Sequence, residues 1–383
     1  MNRWLAMLVV GLAVACLPAA TPTLKLHREI NLNAMIHERD GVLPSTHSVQ
    51  SLAFSPDEKW IAIGVGRHYK PGTWQPMEFD SHVIVVALKE SAERGIEIDP
   101  DTAVAQGSLV WAPDSNMLAI DGQHGFKCYA IPSGEPWKDW RPDARLSQLL
   151  GFIDARHGMA YASVEDRLPA KRSGAPLAVY TFDLTGQIVD VWDAPSRSAV
   201  VAIDPDRHIV AVAMDTGKSD LYPILSYPGR ATLQDWSNHQ PFGMPIFAES
   251  GKTVCGGDLL ARDSRYPSCW DVDTGKEIAE FKGFPAGWPA SVSSHGSRII
   301  LTHERMVRGI TEEDDMRAKV NRVVWDFRAD KVAAEWVPVT QATETGMKPP
   351  ADKRTEFGPS VISPSGRYIA EGTNGILRIY EVP

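Results

Sequence analysis

A hairpin pattern that recurs along the whole chain leaves few folds open to it. Its clearest copy is Ser51 to Gly66, SLAFSPDEKWIAIGVG. Val49, Leu52 and Phe54 lead into the polar turn Ser55-Pro56-Asp57-Glu58, and Trp60, Ile61 and Ile63 lead out of it. Proline at the second turn position presets φ, and Ser and Asp bond their own backbone, so the two apolar runs fold back as antiparallel strands.

Aligned on that turn, weaker copies begin at Ser108, Leu149, Ala199, Gly243, Ala290 and Pro359. Their spacing is roughly 40 to 70 residues, and the short end matches four-stranded propeller blades. A second pattern follows the hairpins: VYTFDLTGQIVDVW after the third, CWDVDTGKEIAEF after the fifth, VVWDFRADKVAAEW after the sixth. These runs supply two more strands, giving each blade the order a, b, c, d. Trp140, Trp192, Trp236, Phe281 and Trp336 recur near the ends of the fourth strands, where large rings serve packing between blades.

The segments FSPDEKWIAIG and CWDVDTGKEIAEFKG resemble the central hairpin and the Trp-Asp turn of WD40-type β-propellers, with Trp270-Asp271 and Trp325-Asp326 at the expected place. The Gly-His that usually opens such repeats is missing. The resemblance spans nearly the whole chain after its first residues and implies an all-β, seven-bladed propeller that acts as a non-enzymatic interaction scaffold. Repeats running end to end through 383 residues argue for one domain over residues 21–383 rather than two or three.

The front end has a different character. Arg3, the apolar stretch from Leu5 to Leu17 and the small residues after it read as an export signal over residues 1–20. Ala13-Val14-Ala15-Cys16 is similar to a bacterial lipobox, which makes Cys16 a lipidation candidate. Cleavage near Ala15 or Ala20 with free release is the competing expectation. Either route exports the chain to a bacterial periplasm, envelope or exterior, with any membrane attachment confined to a lipid on Cys16. With 48 acidic against 39 basic side chains and a net charge of −9, no basic footprint for nucleic acid is expected.

Residues Leu24 to Asn33 alternate as a strand without a nearby hairpin partner, and the last copy ends with a third strand, Gly375 to Val382, and no fourth. The two gaps match, so the N-terminal strand is expected to complete the last blade and close the ring, leaving a monomer.

In such blades the a–b and c–d turns share one face of the disc, and the b–c and d–a connections share the other. The former are short here. The long segments, Gly66 to Ser81, Ser163 to Pro176, Gly256 to Pro267, Glu304 to Asn321 and Thr340 to Gly358, all belong to the latter. Insertions gathered on one face mark a binding face, although a face that merely tolerates insertions gives the same pattern. Arg67, His68, Tyr69, Lys70, Trp74 and Phe79 form an aromatic and cationic set suited to gripping a protein or peptide. Glu312, Glu313, Asp314 and Asp315 form an acidic run suited to a basic partner or a cation, or a plain solvated loop.

Signals for chemistry are weak. Gly251-Lys252-Thr253 lacks a phosphate loop's first glycine, since Ile246 stands there, and the Asp271 to Gly275 turn lacks the closing acid of a calcium loop. No hydrolase elbow, zincin motif or Cys-x-x-Cys appears, and no metal, cofactor or catalytic residue is assigned; His68 with His82 is the one histidine pair worth inspecting as a metal site. An enzyme or small-ligand binder, such as a quinone-cofactor propeller with a polar site at the channel mouth, stands as the alternative function. Cys255 and Cys269 fall on adjacent strands b and c of the fifth blade. They are candidates for a cross-strand disulfide, or equally for two small buried hydrophobes.

Overall fold

The computed structural model of the chain describes residues 23–36, 47–67, 81–89, 95–98, 109–122, 125–162, 178–193, 198–215, 220–221, 224–229, 232–234, 243–257, 266–282, 288–306, 318–338, 358–373 and 375–383. These form seven antiparallel sheets, each built from strands consecutive in sequence except the last. Together they make a seven-bladed β-propeller, with one short 3-10 turn, Leu32–Ala34, beside the strands.

The first blade has strands a His47–Phe54, b Trp60–Arg67, c Ser81–Ala87 and d Gly95–Ile98. Its a–b turn shows why the repeat folds as it does. Ser55 Oγ accepts the Trp60 N–H at 3.0 Å and donates to Asp57 Oδ1 at 2.7 Å, so the turn's polar groups are satisfied locally. Ser293 and Ser363 accept the N–H five residues onward in the same way, from Arg298 at 2.9 Å and Tyr368 at 3.2 Å. Weak sequence copies therefore share one hydrogen-bond plan.

Two blades depart from the four-run expectation. The second has only a Leu109–Trp111, b Met117–Gly122 and c Gly125–Ala130 as strands. Pro132, Pro136 and Pro142 lack the N–H that a ladder needs, and the segment meets strand c through an isolated bridge at Pro136, the Trp137 N–H on Cys128 O, and turn bonds of Ala130 with Gly134 and Glu135, without forming a ladder. Trp140 therefore lies on no strand. Its ring sits between the blades instead, 5.3 Å from Phe126 and 5.8 Å from Phe182. In the fourth blade two short strands, Asp220–Leu221 and Ile224–Ser226, both pair with strand b in the place of a single third strand.

The seventh blade has a Ser360–Ile362, b Tyr368–Thr373 and c Ile376–Glu381, and the chain's first strand, Lys25–Asn31, lies outermost beside Ile376–Glu381. Ile30 stands opposite Leu377 and Glu29 opposite Arg378, whose guanidinium it meets at 2.8 Å.

The core lies between blades, because alternate residues of each strand face opposite neighbours. On strand b of the seventh blade, Tyr368 and Ala370 pack with Val49, Ile63 and Val65 of the first. Ile369 packs the other way, with Ile300 and Val324 of the sixth. Fully buried Trp325 fills the boundary between fifth and sixth blades and stacks on Phe281 with ring centroids 5.1 Å apart.

A loop-bearing face and a buried charge pair beneath it

The two faces of the disc are built differently. On the a–b and c–d side, turns reach across blade boundaries and satisfy one another. Ser365 N–H meets Glu58 Oε1 at 2.5 Å, and Asp57 N–H meets Ser115 Oγ at 3.1 Å. Glu58 and Ser115 hold left-handed backbones, φ 55° and 63°, a strain that non-glycine residues tolerate where the side chain has work to do. Arg141 and Asp143 N–H groups donate to Thr185 and Gly186 carbonyls, and Tyr227 bonds Thr181. Arg207 donates to Gly251 O at 3.0 Å and to Asp273 at 2.5 Å, Arg328 grips Glu249 at 2.7 and 2.5 Å, and Arg298 donates to Gly366 O at 3.0 Å. Every blade boundary thus carries at least one such tie.

The opposite side is where the long segments leave. Arg67 is the last residue of strand b in the first blade, on this side. His68, Tyr69, Lys70, Trp74, Phe79, Glu312, Glu313, Asp314 and Asp315 lie outside the described residues. The strands that lead to the acidic run are themselves described. In the sixth blade b Arg298–Met306 and c Ala318–Asp326 stay paired to Met306 opposite Ala318, whereas d Lys331–Trp336 ends opposite Arg322. Their hairpin therefore runs on about four residues past its own outer strand, roughly 13 Å at the usual strand rise.

Just inside this face, the boundary between the sixth and seventh blades changes character in one step. Ile300, Val324, Ala334, Ile362 and Ile369 make an apolar layer. Two residues toward the loops on each strand stand Thr302, Arg322, Trp336, Ser360 and Glu371. Arg322 Nη1 lies 3.2 Å from Glu371 Oε1 and also donates to Ser360 Oγ; Nη2 donates to Gly358 O at 2.8 Å. Trp336 Nε1 reaches the same Glu371 oxygen at 3.5 Å. Glu371 is 1% exposed and Arg322 7%. Burial pushes the Glu371 carboxyl above its ordinary value against the pull of Arg322, and it lowers the guanidinium while Glu371 opposes that shift. Among the described residues, Arg322 Nε and Glu371 Oε2 have no hydrogen-bond partner.

Sequence reading passed over this pair because its members are 49 residues apart and belong to different blades. The one local signal was a glutamate inside the otherwise apolar and small run YIAEG. At the next boundary His82 is buried, with Nδ1 2.8 Å from Glu97 Oε1; its companion His68 lies outside the described residues. Among the described residues no group of three metal-ligating side chains gathers. In the fifth blade Cys255 and Cys269 stand directly opposite across the b–c ladder, Cα atoms 4.1 Å apart and sulfurs at bonding distance. Cys128 is a buried free thiol whose pKa burial drives far up.

Fold and faces together define a seven-bladed β-propeller. No family model matches the chain, and no curated protein matches it. Among solved structures, 827 chains are similar. One, from a crystal structure of the mitotic checkpoint complex, aligns over 100% of this chain and 99% of its own at a TM-score of 0.54 and 16% identity. At that identity the likeness is one of fold alone.

Proposed function

We propose that this protein is an exported bacterial scaffold of degenerate WD40-type repeats that holds a protein or peptide partner on its b–c/d–a face. The observation that carries the reading is the division between faces. The turn side uses its charged and polar groups to tie blades together, while the long segments, with the aromatic and cationic set at 67–79 and the acidic run at 312–315, are rooted on the other side. A propeller of similar fold is found in a protein complex, which supports the reading as an analogy of fold and not of site. The facing Cys255 and Cys269 suit an oxidising compartment, in line with the Met1 to Ala20 signal.

Replacing Trp74 and Phe79 by Ala is expected to cut partner recovery from envelope extracts by about tenfold or more, as for aromatic hot spots. Asp114→Lys with Lys276→Glu, on exposed turn-side positions, is expected to leave recovery unchanged. Equal losses from both faces would contradict the proposal.

A further inference from the structure

A buried ion pair adds little net stability, since desolvation of both charges offsets their attraction, and apolar replacements of similar volume are often neutral or better. The Arg322–Glu371 pair fits that description, with Nε and Oε2 lacking a partner among the described residues. What it does well is geometry. One guanidinium spans the blade boundary and holds Gly358 O, Ser360 Oγ and Glu371 Oε1 together, and a planar fork fixes such partners in direction as well as distance. Those atoms belong to the start of strand a and to strand b of the seventh blade. Gly372 N–H adds a bond to Pro359 O at 3.1 Å, and a Cβ on Gly358 would stand 1.6 Å from Gly372 O. The chain is thus held to one track as it enters the blade, at the root of the long d–a connection that ends at Gly358.

We propose that Arg322 and Glu371 are positioning residues of the loop-bearing face: they set where strand a of the seventh blade begins, and so anchor the connection that enters it. The inference deepens the binding reading of that face, yet the structural claim concerns the anchor alone.

The test is hydrogen exchange on the full chain, with thermal unfolding alongside. In Arg322→Met/Glu371→Leu, the melting temperature should match or exceed that of the parent while amides of 358–362 and Gly372 exchange about tenfold faster or more. Amides of 209–212 in the fourth blade should not change. Arg322→Met alone should lower the melting temperature, because it strands a buried carboxylate. Unchanged protection at 358–362 in the double variant would overturn the proposal, as would a melting temperature as low as that of the single variant. If the double variant does not fold, Arg322→Lys decides: it keeps the charge and loses the fork, so faster exchange at 358–362 upholds the role and unchanged exchange removes it. No partner enters these measurements, so their failure and a failure of the binding reading are told apart.

Discussion

Single residues carry the packing between blades. Trp325 has no exposed surface and stacks on Phe281 across a boundary. Trp325→Ala should therefore cost about 3 to 5 kcal/mol in urea unfolding; a loss under about 1 kcal/mol would mean that the ring contributes little there. Cys255 and Cys269, 14 residues apart and in direct register, are expected to be linked. Replacing both by Ser should then lower stability by about 3 kcal/mol on the loop-closure account. Reductant should bring the parent protein to the same value, and equal stability with and without reductant would contradict the link. At this scale the sequence was legible where a contact is local: Ser55, Ser293 and Ser363 repeat one turn bond within five residues. Arg322 and Glu371 were not, because a pair contributed by two blades has no fixed spacing along the chain.

Among elements, the turns of one face work as a belt. Burial raises the Glu249 carboxyl, but the Arg328 guanidinium and Thr253 hydroxyl outweigh it and hold the group below its ordinary 4.5. A carboxylate depressed in the folded state stabilises at pH above its unfolded value and loses that contribution as pH falls through the folded one. Arg328 is half exposed, so Arg328→Ala should cost only about 1 kcal/mol at neutral pH. The gap between variant and parent should close as the pH drops below the carboxylate range, and a gap independent of pH would contradict the tie.

The strand Lys25–Asn31 is the other telling element. Alternation and the missing fourth run of the last copy pointed to its place, and its pairing with Ile376–Glu381 buries Ile30. We expect it to hold the ring shut. Deleting residues 21–33, which also removes buried Leu32, should lower stability by about 4 kcal/mol or more, far beyond the effect of trimming a tail; an unchanged melting temperature would sink the idea. Strand d of the second blade was misjudged for a physical reason. Its run carries prolines that cannot donate to a ladder, and Trp140 satisfies the same packing need from a loop.

For the whole molecule, seven copies of one turn were enough to specify the disc, because each sheet must bury both faces against neighbours. Topology likewise assigned the long segments to one side. The chemistry beneath that side was less legible, since Arg322 and Glu371 come from different blades and meet only in three dimensions. Export is argued from Met1 to Ala20, with the facing Cys255 and Cys269 in support. Intact mass of the expressed protein decides its form, a diacylglycerol-type gain that disappears in Cys16→Ser marking a tethered lipoprotein and an unmodified mass after cleavage near Ala20 marking a free one.

The measurement that bears most directly on the division of faces is photo-crosslinking in envelope extracts, with the reactive side chain placed at Trp74 or Glu312 on one side and at Asp114 or Lys276 on the other. Discrete adducts from the first pair and none from the second are the expected result. Adducts from the turn side alone, or the same adducts from both sides, would contradict the account.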